Sequence, residues 1–91
     1  MRRFIIEREI PGIGVSTAEQ LRDGARRSNA ALARVGRGIQ WQHSYVAGDK
    51  TFCVYLAQDE EKIREHAERS GFPANTITEI RTIFDPTTAN G

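Results

Sequence analysis

Cysteine is almost absent from this chain. Cys53 is the only one, so no internal disulfide can form, and a lone thiol fits a reducing compartment. Long apolar runs are absent too. The apolar stretch Phe4–Ile6 stops at Glu7, too short for the apolar region of a signal peptide. Nothing approaches the ~20 apolar residues of a membrane helix. Neither sign of charge dominates: thirteen Lys and Arg stand against twelve Asp and Glu, a net charge of +1, with the two signs interspersed. That balance supplies no general field for nucleic acid or a membrane surface. A cytoplasmic protein with neither partner is the expectation. The common catalytic signatures are also missing. There is no phosphate-binding loop, nucleophile elbow, Cys-x-x-Cys or His-Glu-x-x-His, and Gly12-Ile13-Gly14 is a glycine pair in a loop.

What remains is enough for one domain. Ninety-one residues are too few for two cores. A chain this short buries roughly 60–65 % of its unfolded surface, so a partner covering one face would help it. Arg2 to Ile10 is rich in Phe and Ile, stops at Pro11-Gly12 and reads as a strand. Ser16 or Thr17 can cap a helix, Ser16 having capping-box spacing to Glu19. Leu21, Ala25, Ser28, Leu32 and Val35 then repeat as one helical stripe from about Thr17 to Val35, ended by Gly36 and Gly38. The stripe is mostly small, which allows close packing on a sheet.

Ile39–Val46 and Thr51–Ala57 alternate around Gly48-Asp49, a hairpin turn. Asp59 caps a second helix, Glu60–Ser70, which Gly71 and Pro73 stop. Thr76–Phe84 alternates Thr with Ile or Phe as the last strand, and Asp85-Pro86 closes it. The order strand, helix, strand, strand, helix, strand is the split-βαβ pattern. The expected fold is an α+β, ferredoxin-like βαββαβ sandwich over residues 1–86. It has an antiparallel four-stranded sheet with two helices on one face, followed by a flexible tail, Thr87–Gly91.

Two helices on one face leave the other face to be explained. The two-residue turn sets Tyr45 against Phe52, His43 against Val54 and Trp41 against Leu56, all six on one side by alternation. The opposite set, Gln42, Ser44, Val46, Thr51, Cys53 and Tyr55, has smaller members that suit the small helix stripe. The open face is therefore expected to carry Trp41, His43, Tyr45, Phe52, Val54 and Leu56. That is a large apolar patch, which a homodimer packed sheet against sheet would bury, with room for a pocket.

Five features could carry chemistry. His43, mid-strand among aromatics, reads as a metal ligand or acid/base group, or else as a hydrogen-bonded interface histidine. His66, on a helix crowded with acids, reads as a surface histidine that carboxylates could recruit to a metal. Glu7 reads as a solvated edge charge or a carboxylate partner for His43 across the sheet. Cys53 reads as a buried inert thiol. Glu60, Glu61, Glu65 and Glu68, mixed with Lys62, Arg64 and Arg69, read as a solvated helix face.

The runs Gly38-Ile39-Gln40-Trp41-Gln42-His43-Ser44-Tyr45-Val46 and Lys50-Thr51-Phe52-Cys53-Val54-Tyr55 resemble a family of small nickel-responsive, nickel-binding bacterial proteins. Phe4-Ile5-Ile6-Glu7-Arg8, Asp59-Glu60-Glu61, Ile63-Arg64-Glu65-His66-Ala67 and Gly71-Phe72-Pro73-Ala74-Asn75 extend the resemblance over nearly the whole chain. It implies a ferredoxin-like dimer that binds nickel, in a buffering or responsive role. Leu56 stands where relatives often carry an acid, so a site using that carboxylate is weaker here. The motif does not name the ligands, which leaves His43, His66 and Glu7 as candidates. Imidazole with carboxylate suits divalent nickel. The other class of function is a small cofactor-independent enzyme, monooxygenase- or isomerase-like, with His43 as acid/base in a pocket on the open face. Metal titration separates the two.

Overall fold

The computed structural model describes residues 1–91. Four strands, β1 (Arg2–Glu9), β2 (Ile39–Ala47), β3 (Lys50–Ala57) and β4 (Thr76–Ile80), form one sheet in the order β2-β3-β1-β4. Every pairing is antiparallel. Helices α1 (Ala18–Val35) and α2 (Glu60–Ser70) cover one face. This is the expected ferredoxin-like sandwich.

Local chemistry explains most boundaries. The box that starts α1 uses Thr17 and Gln20 rather than Ser16 and Glu19. Gln20 N–H donates to Thr17 Oγ1 at 3.1 Å, and Thr17 N–H donates to Gln20 Oε1 at 2.9 Å. Asp59 accepts from Lys62 N–H at 3.1 Å at the start of α2, and Gly71 ends it in the left-handed region at φ 75°. A Cβ at Gly14 would strike the Gly48 carbonyl, so the loop after β1 packs directly against the hairpin turn. β4 is shorter than expected. Arg81–Phe84 leave the sheet, and Ile83 and Phe84 project into solvent. Beyond them Pro86–Asn90 forms a 3-10 turn, with Asp85 accepting from Thr87 N–H at 2.9 Å.

The core lies between sheet and helices. Phe4, Ile6, Cys53, Tyr55, Ala57 and Ile63 form it, with Leu32, Ile39, Trp41 and Ile77 packed against it. One irregularity decides which side chains reach it. From the turn to His43 the hairpin pairs as expected, Tyr45 with Phe52 and His43 with Val54. Between His43 and Trp41 the register slips by one residue, so Trp41 opposes Tyr55, not Leu56. Gln42 is the extra residue of a β-bulge. Trp41 therefore turns to the helix side, and its expected place on the open face is corrected.

Two consequences are measurable. Ile63→Ala removes a fully enclosed side chain and should lower stability in urea by about 2–5 kcal/mol. Deleting Gln42 makes the pairing continuous on both sides of the bulge. The deletion variant should unfold cooperatively with the fluorescence maximum of Trp41 unchanged; a red-shifted maximum would mean that Trp41 had left the helix side.

Candidate functional site

The face away from the helices carries His43, Tyr45, Phe52, Val54 and Leu56, joined by Ile5 of the inner strand β1 and Ile80 of the edge strand β4. The His43 and Tyr45 rings meet edge to face, 5.1 Å between centroids, and both side chains are exposed. Polar pairs border this patch: Arg3 donates to Gln42 at 3.3 Å, and Lys50 pairs with Glu7 at 3.6 Å. Of the two readings of Glu7, the edge charge agrees with its exposed pair with Lys50, and within one chain it does not meet His43. β3 lies between their strands, which sets their backbones roughly 10 Å apart at ~4.8 Å per strand. No three His, Cys, Asp or Glu side chains of one chain converge into a metal-holding group.

His66 departs most from expectation. It is fully buried, on the inner side of α2 with Ile63 and Ser70, and its ring lies 5.3 Å from that of Tyr55. Its Nε2 sits 3.2 Å from Ser28 Oγ and 3.3 Å from the Ser28 carbonyl oxygen. A carbonyl only accepts, so Nε2 carries the proton, and Nδ1 is left as a buried acceptor with no partner. Burial holds the imidazole below its ordinary pKa. The nearby Arg8 charge adds to that, and the Ser28 carbonyl opposes it. His66 is thus a neutral interior histidine, not a surface ligand.

The helix side also holds a cavity of about 270 Å³, between the N-terminal half of α1 and strands β1, β2 and β3. It exists because α1 presents Gly24, Ala25 and Ser28 there, too small to fill the space over Trp41 and Tyr55. Trp41 is held by donation from Nε1 to Ser44 Oγ at 2.9 Å. Cys53, in the same wall, is buried and donates to Thr51 Oγ1 at 3.6 Å. Arg8 also lines this wall, although only 2 % of it is exposed. Burial raises the pKa of Tyr55, and Arg8 and Ser28 pull it partly back, so Tyr55 remains a phenol. His43 is not part of this wall.

Sequence reading missed Arg8, Ser28 and Tyr55 as a polar group around one cavity. The signal for Arg8 was present: it shares its parity in β1 with Phe4 and Ile6, so it had to point inward. The turn of chain that closes over it was not visible in the pattern.

Residues 4–80 match the family described as nickel responsive protein SCO4226-like. The chain belongs to that family. Among solved structures it is similar to the crystal structure of SCO4226 from Streptomyces coelicolor A3(2). The two share 18 % identity and a TM-score of 0.74, over 90 % of this chain and 99 % of that one. At that identity the likeness shows the fold. No curated protein matches the chain. No helix of this family member is long and apolar enough to cross a membrane.

The buried histidine makes stability depend on pH. Unfolding frees His66 to take up a proton near its ordinary value of about 6.5, whereas the folded ring resists protonation to lower pH. Its contribution is complete above that value and is lost as pH falls through the depressed folded value. Urea unfolding between about pH 7.5 and 5 should show this decline. His66→Gln should flatten it; an equal decline in that variant would assign it to other groups.

Proposed function

We propose that this chain is a cytoplasmic nickel-binding protein that works as a homodimer, in a buffering or responsive role. The observation that carries the reading is membership of a family described as nickel responsive, combined with an exposed imidazole on an unpartnered sheet face. Imidazole is a good donor for divalent nickel. In one chain His43 has no second ligating side chain beside it, so the coordination shell is completed by water and by a second copy. The half-buried Ile5, Phe52, Leu56 and Ile80 around it favour sheet-on-sheet packing, which removes apolar surface from water. In that dimer Glu7 of the opposite copy is the candidate carboxylate. Its exposed pairing with Lys50 is weak enough to give up. His66 takes no part, because its ring is enclosed.

Calorimetric titration with nickel, against zinc and cobalt, tests the reading. The parent chain should bind nickel. His43→Ala should weaken binding by at least about tenfold, the loss of one well-placed ligand, and His66→Gln should leave it unchanged. Affinity should fall in acid, because metal ligands must be deprotonated to bind. No nickel binding by the parent would overturn the function, and unaltered binding by His43→Ala would overturn the ligand. Sedimentation at micromolar protein should give a dimer, and a monomer would overturn the packing.

A further inference from the structure

The helix-side cavity holds a charge that the nickel reading does not use. Arg8 is 2 % exposed and takes part in no salt bridge. Its Nη1 donates to the Pro73 carbonyl at 2.6 Å, and its guanidinium carbon lies 5.9 Å from the centre of the Phe72 ring. Its Nη2 is buried and meets no acceptor in good geometry, and the neutral Tyr55 hydroxyl beside the guanidinium supplies no counter-charge. Arginine does not shed its proton, so the charge stays. A buried cation is costly unless an anion meets it, and the neighbouring carboxylates do not. Glu7 and Glu9 alternate onto the other face, where Glu7 is engaged by Lys50. Tyr55, the nearest acidic group, stays a phenol.

We propose that this cavity binds a small organic carboxylate with an apolar body, its oxygens accepting from Arg8 and its body lying against Trp41, Leu21 and Ile13. The walls decide between anions. Apart from Arg8 they offer neutral hydroxyls, a thiol, an amide and apolar side chains, which suits one negative charge and disfavours a phosphate dianion. The size fits as well: about 270 Å³ lies near the lower end, roughly 300 Å³, of small-molecule pockets. Leu21 and Val46, 43 % and 42 % exposed, stand at the rim and leave a way in.

Benzoate is a probe of that size, and Trp41, the only tryptophan, reports from the wall. Titrations are run without nickel, so their outcome is separate from that of the metal reading. Benzoate should change Trp41 fluorescence saturably below about 10 mM, with benzamide weaker by roughly 10- to 100-fold, the loss of a charge-assisted hydrogen bond. Arg8→Gln should weaken benzoate by a similar factor and leave benzamide unaffected. Gly24→Leu blocks the cavity from the helix without touching Arg8. A Cβ at Gly24 meets nothing within 4 Å, and leucine suits a helix better than glycine, so this variant stays folded and should lose benzoate binding. Absence of saturation in the parent, equal affinity for benzamide, or undiminished benzoate binding in Gly24→Leu would overturn the proposal.

Discussion

The extra residue in β2 sets the two faces of this domain. A strand alternates its side chains with a period of two, so Trp41, His43 and Tyr45 would share a face in any regular hairpin. With Gln42 bulged out, His43 and Tyr45 keep the open face while Trp41 joins the core. Both candidate sites descend from that slip. The open face keeps an imidazole with room around it, not one wedged beside an indole. The helix side gains a large ring that the small stripe of α1 cannot cover, and the uncovered volume is the cavity.

The fold was largely legible because its signals are local. Asp59 before an acidic first turn, Gly71 after Ser70 and Gly48-Asp49 between alternating runs each specify a boundary by chemistry within a few residues. The misreadings have non-local causes. Nothing in the alternation of Ile39–Val46 marks Gln42 as surplus; the slip shows only when β2 is laid on β3. His66 was read as exposed because α2 is crowded with charge. Yet Ile63, His66 and Ser70 lie on one helical face, and it is Ser28 of α1 that makes a polar interior position tolerable. The last strand was read through Phe84, but β1 offers pairing partners only as far as Arg3 with Ile80.

A thin core gives this polar cluster weight. In a chain of 91 residues only nine apolar residues are buried, Tyr55 among them, and the polar Arg8, Ser28 and His66 are buried as well. Two of their nitrogens, Arg8 Nη2 and His66 Nδ1, have no partner. Each unsatisfied buried group costs about 1–3 kcal/mol, a large share of what a small domain has to spare. Replacing such groups with apolar side chains of similar volume often stabilises a protein. A cluster of this kind is therefore poorly explained by stability alone, which is what motivates the ligand proposed for it.

Electrostatics keeps the two proposed partners, a cation and a carboxylate, on opposite sides of the sheet. Cys53 is by type a good metal ligand, and it lines the cavity. It shares that wall with Arg8, which has no counter-charge. At an effective dielectric of ~20, two unit charges ~4 Å apart repel by about 4 kcal/mol, and a divalent ion doubles that. The charge that would meet the proposed anion also disfavours a metal cation in this wall. On the open face no buried cation stands near His43: Lys50 and Arg3 lie at the border of the patch and are only partly buried. β3 separates the two environments by no more than the thickness of a strand, with Tyr55 and Cys53 turned to the anion side and Val54 and Phe52 to the imidazole side. A cation on one face and a carboxylate on the other need not compete for any side chain.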